Sequence, residues 1–249
     1  VIKEKVKIVI LAAGKGTRMK SDLAKVLHKV NGKSMITHVL EMVDEVHPDE
    51  TYLVVGHQSQ AVESETVKYK RTPVLQEQQL GTGHAVMVVE PHLKDYDGMT
   101  VILCGDVPLL QAKTVNKLIN TYQEGALDAV ILTVNLPDPK HYGRIVRDKT
   151  AGGLVQRIVE FKDANDQEKA ITEINSGIYC FKTKLLFDAL KQITNKNNQK
   201  EYYLTDVIEI MVRQGRRVGT FMIDDFLQVH GVNDVNDIKI AEEMLAKTA

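Results

Sequence analysis

Apolar residues in this chain come in short unbroken runs that alternate with stretches of helical periodicity. Val6–Leu11 precedes a helical pattern over Met35–Val46, Tyr52–Val55 one over Gln58–Thr66, and Val101–Cys104 one over Lys113–Tyr122, with a further run at Ala129–Val134. A short apolar run without alternation marks a strand buried on both faces. Strands alternating with helices in this way predict an α/β fold, a mostly parallel sheet flanked by helices in three layers. Ligands of such open sheets sit beyond the carboxyl ends of the strands.

After Pro139 the pattern changes. Gly143–Arg147 and Leu154–Phe161 are shorter, more polar extended pieces divided by Gly152-Gly153, and a strand follows through Ile174–Phe181. This stretch reads as a β-rich insertion that walls a second half of a cleft. Helices are predicted near Lys184–Ile193 and Leu204–Gln214, a strand over Arg217–Ile223, and an exposed loop at Asn195-Lys196-Asn197-Asn198. Val235, Ile238, Ile240 and Leu245 fit a final amphipathic helix from Asn233 to the end. No internal repeat is found.

Composition narrows the class of partner. The chain has 249 residues, enough for one large α/β domain or two small ones, and its 43% hydrophobic and 26% charged residues are ordinary for a soluble globular protein. Lys plus Arg number 32 against 33 Asp plus Glu, so bulk charge makes no case for nucleic acid or a membrane surface, and an anion site must be local. The two cysteines, Cys104 and Cys180, each sit in an apolar segment, as buried thiols in a reducing cytoplasm would. There is no secretory leader pattern, and no apolar run approaches the ~18 residues of a membrane span. The chain opens on Val, as a processed or excised product would.

Candidate chemistry begins where the first strand ends. Ile8-Val9-Ile10-Leu11 breaks into Ala12-Ala13-Gly14-Lys15-Gly16-Thr17-Arg18-Met19-Lys20, a small-residue loop with three cations. Such a loop lets backbone N–H groups approach a ligand while Lys15, Arg18 and Lys20 supply charge, which suits a polyphosphate. The loop matches neither the Walker A pattern nor the full dinucleotide fingerprint, since Met19 stands where the third glycine would be. A plain chain reversal has the same composition. The strand Val101–Cys104 ends at Gly105-Asp106-Val107-Pro108, which places a carboxylate at the sheet edge, suited to Mg²⁺ or to an ordinary turn. Gln76 to Ala85 combines amides able to read a base edge with a Gly81-Thr82-Gly83 turn, and His84 reads as a helix-start residue. Tyr142-Gly143-Arg144, Glu160–Asp163 and Asn175-Ser176-Gly177 offer groups suited to a sugar's hydroxyls and amide, or simple turns.

Taken in order, Leu11–Met19, Ser21–His28, Leu80–Ala85, Gly105–Leu109, Tyr142–Ile145, Glu201–Asp206 and Gly231–Asn233 resemble a known family along nearly the whole chain. It is the N-terminal uridyltransferase domain of the bacterial bifunctional N-acetylglucosamine-1-phosphate uridyltransferase/glucosamine-1-phosphate acetyltransferases. The first loop alone indicates only the sugar-nucleotidyltransferase superfamily, with its Rossmann-like fold; the ordered set points to the N-acetylglucosamine branch.

The resemblance implies Mg²⁺-dependent transfer of a uridylyl group from UTP to N-acetylglucosamine-1-phosphate, giving a cell-wall precursor and pyrophosphate. It implies that Leu11, Ala12, Ala13, Gly14, Gln76, Gly81 and Thr82 hold the nucleotide, with Asp106 beside it. Arg18 and Lys25 would be the catalytic cations on the phosphates, and Asp106 and Asn233 the Mg²⁺ ligands. Gly143, Glu160, Asn175, Tyr203 and Thr205 would line the sugar and its phosphate, with Asn233 at their side. It divides the chain into a nucleotidyltransferase domain, 1–232, and a helix, 233–249, opening a linker arm without the β-helix acetyltransferase repeats. The family trimerises mainly through that other half, so this stretch sets no oligomeric state. Two departures stand out: Ala24 replaces the usual Pro before Lys25, and Cys104 replaces a frequent aromatic before Gly105-Asp106. A transferase for another sugar phosphate, such as a glucose-1-phosphate uridylyl- or thymidylyltransferase, and a non-catalytic sugar-nucleotide-binding domain are the competing readings.

Overall fold

A computed structural model describes residues 5–148, 150 and 152–248. Along the chain run β1 (Val6–Leu11), β2 (Lys29–Val30), β3 (Lys33–Ser34), α1 (Met35–Val46), β4 (Glu50–Val55), α2 (Ser59–Glu65), β5 (Thr72–Leu75), α3 (Thr82–Met87) and α4 (Glu90–Leu93). They continue with β6 (Met99–Cys104), α5 (Ala112–Glu124), β7 (Ala129–Asn135), β8 (Arg144–Asp148), β9 (Leu154–Val159) and α6 (Asp166–Lys169). Last come β10 (Glu173–Lys182), α7 (Thr183–Leu190), α8 (Asp206–Arg213), β11 (Val218–Ile223) and α9 (Val235–Thr248).

The main sheet runs β11-β7-β10-β6-β1-β4-β5, with the β8–β9 hairpin attached to β10. Successive residues of β1 go to opposite faces: Ile8 and Ile10 pack with α1 and α5, and Val9 packs with α3, α7 and α8. This two-sided burial is why the strands read as continuous apolar runs. Each such Ile or Val contributes roughly 1.5–3 kcal/mol on burial.

The expectation of a mostly parallel sheet is refined at one strand. β1 pairs parallel with β4 and β6, β4 with β5 and β7 with β11, but β10 is antiparallel to both β6 and β7. The cause lies in the connection. A crossover helix returns the chain parallel, whereas β10 is reached from β7 through the β8–β9 hairpin. The two-stranded insertion is therefore also what reverses the centre of the sheet.

β5 was not expected, because Thr72-Pro73-Val74-Leu75 is short and holds a proline. It lies at the sheet edge, where a missing N–H is tolerated. The β2–β3 hairpin and the short helices α4 and α6 also escape sequence periodicity, being too brief to show one. β9 ends at Val159, so Glu160 and Phe161 stand in a turn rather than in the strand predicted through Phe161.

Candidate active site

The carboxyl ends of β1, β4 and β6 open together. Leu11 is in register with Val54 and Cys104, and the chain beyond is held by Ala12 N–H to Val54 carbonyl (2.9 Å) and Gly105 N–H to Leu11 carbonyl (2.9 Å). The loop then turns through Gly16 in the left-handed region, φ 64°, into a single turn of tight helix, Thr17–Met19. Met19 is buried and anchors that turn, which leaves Arg18 exposed. A Cβ on Gly16 would stand 2.5 Å from the Lys25 Cβ, whereas one on Gly14 would meet nothing within 4 Å. The two glycines do different work: Gly16 admits Lys25, and Gly14 leaves the cleft open.

Four of the predicted polar residues meet beside this loop. Lys25 Nζ pairs with Asp106 Oδ2 and donates to Asn233 Oδ1 at 2.7 Å, a partner 208 residues away in sequence. Arg18 Nη2 donates to the same Asn233 oxygen at 2.7 Å. Asn233 is held in turn by its Nδ2 donating to the Gly231 carbonyl (2.7 Å) and by its N–H donating to Asp237 (2.8 Å). Asp237 also engages His230 at 3.0 Å, and Val232 N–H donates to the Asp106 carbonyl at 2.9 Å.

Among the described residues no three His, Cys, Asp or Glu side chains cluster as a metal site. The oxygens of Asp106 and Asn233 nonetheless converge on one cation, the Lys25 ammonium. One carboxylate and one amide oxygen suit a hard cation that keeps most of its waters, so these residues fit Mg²⁺.

On the opposite wall Gln76, only 3% exposed, is oriented by its Nε2 donating to the Gly81 carbonyl (3.2 Å) and lying 3.0 Å from His84 Nδ1. His84 thus has a structural role, positioning Gln76. The segment pairs with the stretch before α8: Tyr202 N–H donates to Leu80 carbonyl (2.8 Å), Gly83 N–H to Tyr202 carbonyl (2.7 Å) and Leu204 N–H to Thr82 Oγ1 (3.1 Å).

The residues expected around a sugar form a second group. A bulge in β10 between Asn175 and Tyr179 breaks the register with β7, and Ser176 Oγ fills the gap by donating to Leu132 carbonyl at 2.6 Å. The bulge lets Gly177 N–H donate to Asn175 Oδ1 (3.1 Å) and sets Asn175 N–H on the Gly143 carbonyl (2.9 Å). Thr205 Oγ1 donates to Glu160 Oε1 at 3.1 Å. The Tyr203 hydroxyl is drawn elsewhere, donating to Asp163 (3.1 Å) and accepting from Gln199 (2.8 Å). Cys104 fits beneath the bulge, 3.5 Å from the Gly177 carbonyl, and burial pushes its thiol up to about 12, so it stays neutral.

Burial, reinforced by Asp206, Asp163 and Glu201, raises Glu160 above the ordinary carboxylate range against the opposing Thr205 bond. Its contribution to stability is then fully present below the unfolded value and lost as pH rises through the raised folded one. Glu160→Gln, which keeps an acceptor for Thr205, is expected to melt higher than wild type at about pH 8, with the gap closing toward about pH 4. Thermal melts at the two pH values check this; an equal gap at both would contradict it.

The cleft itself encloses ≈ 630 Å³. It is lined by Leu11, Ala12, Ala13, Gly14, Gln76, Gly81, Thr82 and Asp106 from the predicted nucleotide set, with Lys25. Asn233 joins it through Lys25, and Arg18 through Asn233, rather than by lining it, and Gly143, Glu160, Asn175, Tyr203 and Thr205 lie outside this lining. Sequence reasoning did not single out Gln79 or Glu201, which also line it. Gln79 stood inside the amide-rich segment, and Glu201 opens the motif that pairs with it.

A parallel-sheet cleft with a cationic glycine loop, a carboxylate and an amide is suited to nucleotidyl transfer. The pattern of the nucleotidyl transferase family matches residues 7–237, and the chain belongs to that family. Within it, the chain is similar to the bifunctional protein GlmU of Latilactobacillus sakei subsp. sakei, 49% identical over 226 residues, covering 91% of this chain and 48% of that protein. GlmU of Streptococcus suis is 48% identical over 239 residues, covering 96% of this chain and 51% of that one. The chain spans about half the length of the curated relatives it matches. The fold matches a UDP-glucose pyrophosphorylase solved with UDP-glucose, TM-score 0.79 over 98% of this chain and 100% of that one at 17% identity. The apo form of a UDP-glucose pyrophosphorylase gives 0.77 over 98% and 99% at 16% identity. No helix among the described residues is long and apolar enough to cross a membrane.

Proposed function

We propose that this chain transfers the uridylyl group of UTP to N-acetylglucosamine-1-phosphate, forming UDP-N-acetylglucosamine and pyrophosphate in the cytoplasm. The observation that carries the reading is the convergence of Arg18, Lys25, Asp106 and Asn233 beside the glycine loop. The choice of uridine and of the acetylated sugar is supported by the motif set shared with the bifunctional family. Residues 1–232 would form the nucleotidyltransferase domain, with Asn233, just before the last helix, completing its site.

The attacking group is an oxygen of the sugar phosphate, and the bond broken joins the α-phosphorus of UTP to the pyrophosphate. A phosphate monoester is largely ionised at neutral pH, so no general base is required. The obstacle is repulsion between two polyanions, and the task of the chain is positioning and neutralisation. Backbone N–H groups of residues 13–16 would cradle the triphosphate, with Lys15 and Arg18 at its flank. Lys25, on the opposite side of Gly16, would meet the phosphate at which substitution occurs. Gln76, Gly81 and Thr82 would hold the base. Gly143, Glu160, Asn175, Thr205 and Tyr203 would bound the sugar, with Glu160 accepting from a hydroxyl. Asp106 and Asn233 would hold Mg²⁺, which when bound neutralises phosphate charge and polarises the P–O bonds.

Pyrophosphate release should be strongest from UTP with N-acetylglucosamine-1-phosphate in the presence of Mg²⁺. A panel with glucose-1-phosphate, glucosamine-1-phosphate and dTTP tests the choice. Preference for another pair would overturn the substrate assignment, and no release from any pair would leave the non-catalytic reading standing.

A further inference from the structure

Lys25 reaches Asp106 and Asn233 from a segment with little regular structure of its own. It opens a single turn of tight helix, Lys25–Leu27, whose first position is preceded by Ala24 with no side-chain cap. Its backbone direction therefore depends on whatever holds residues 22–24. Two backbone groups there, the Asp22 carbonyl and the Ala24 N–H, are met by the two ends of one carboxamide. Gln58 Oε1 accepts from Ala24 N–H at 2.7 Å, and Gln58 Nε2 donates to the Asp22 carbonyl at 2.7 Å. Only this orientation of the amide satisfies both partners, since the flipped one would oppose donor to donor and acceptor to acceptor.

The residue that makes this clamp sits in a backbone conformation that does not suit it. Gln58 has φ 52° and ψ 41°, the left-handed region, at the start of α2, and its side chain makes no capping bond. Asn, Asp or Gly would tolerate that conformation better, and Gln occupies it at a cost of roughly 1 kcal/mol. Its neighbours touch the glycine loop: His57 N–H donates to the Ala13 carbonyl at 3.3 Å. One short segment after β4 thus holds both the phosphate loop and the segment bearing Lys25.

We propose that Gln58 is a positioning residue for Lys25, acting through the Ala24 N–H in place of a covalent restraint at that position. Ala24 has φ −52° and ψ 136°, a conformation that proline adopts. Proline would fix φ but has no N–H to donate, and its ring would stand where Gln58 Oε1 now lies. The clamp and a proline are therefore alternative solutions to one problem, and each excludes the other. The proposal rests on the uridylyl-transfer reading for its catalytic half only.

The test is a double-mutant cycle. Gln58→Asn is too short to span both groups yet favours the left-handed conformation, and Gln58 is exposed, so the fold is kept. It is expected to lower kcat roughly tenfold with KM for UTP within about threefold, as misplacement of one catalytic cation would. Adding Ala24→Pro to Gln58→Asn is expected to restore kcat to within about threefold of wild type, whereas Ala24→Pro alone, with Gln58 present, lowers it. Amide hydrogen exchange in a peptide covering 19–27 should quicken in Gln58→Asn and slow again in the double variant, while the β1 peptide is unchanged. Turnover of Gln58→Asn within twofold of wild type, or losses that multiply in the double variant, would overturn the proposal. Wild-type protein without turnover would overturn the functional reading, and the exchange data would still decide the clamp.

Discussion

Asp106→Asn is expected to lower kcat by about 10²- to 10³-fold while leaving the fold intact, the scale for loss of one preorganised electrostatic element. The substitution is isosteric, so packing beneath Val232 and Gly231 is undisturbed, and the Asp106 carbonyl still accepts from Val232 N–H. What changes is charge. The Lys25 ammonium, whose side chain is 13% exposed, loses its charged partner and is left with neutral amide oxygens alone, that of Asn233 among them. The oxygen pair that suits Mg²⁺ becomes neutral, so affinity for the cation falls as well. Raising Mg²⁺ should recover part of the rate, and circular dichroism should report an unchanged fold. Arg18→Ala is the companion variant: Arg18 is exposed, so its removal costs no core packing, and a loss of roughly 10²-fold in kcat is expected without a change in melting temperature. Turnover within threefold of wild type in both variants would remove the four-residue cluster from the reaction.

Gly16→Ala should fail for a different reason. A methyl at φ 64° costs about 1–2 kcal/mol, and it would lie 2.5 Å from Lys25 Cβ and 3.2 Å from Lys25 Cα. Because the obstacle includes backbone, Lys25 or the loop must move, adding roughly 1–3 kcal/mol of overpacking. A loss of about 2–5 kcal/mol corresponds to a fall in Tm of roughly 4–20 °C for a chain of this size. The displaced Lys25 should also carry kcat down by more than about 10²-fold. Gly14→Ala is the control, since its methyl meets no protein atom within 4 Å. Its stability should stay within about 0.5 kcal/mol of wild type, while KM for UTP rises because the methyl enters the cleft. Thermal melts and UTP titrations of the pair separate the two roles; equal destabilisation by both would refute the assignment.

Much of this site is legible in the sequence. β1, β6 and the loops that follow them are marked by apolar runs ending in small residues, and buried strands of a parallel sheet must end at its ligand-bearing edge. The segment Gln76–Ala85 could be marked as suited to a base, or to a polar loop, by its amide and glycine content, whereas Gln76, Gly81 and Thr82 within it are singled out only by the family resemblance. Other features carried no local signal. The antiparallel course of β10 follows from a hairpin connection, and the departure of the Tyr203 hydroxyl toward Asp163 and Gln199 depends on the path of the 194–200 loop. Gln58 looked like any polar residue at a helix start. Its partners, Asp22 and Ala24, lie on the other side of a helix and three strands in the chain.

By itself the sequence determined the inventory: which strands are buried, where the backbone can approach a ligand, and which cations, carboxylates and amides are available. Those are local properties, set by hydrophobic periodicity and by glycine's freedom, and they survive reading one residue after another. Only the tertiary structure decided that Lys25 lies between Asp106 and Asn233, that Gly16 is open because Lys25 fills its space, and that a glutamine holds Ala24. Charge pairing and packing act between neighbours in space, and the closure of the sheet makes neighbours of residues the chain keeps far apart.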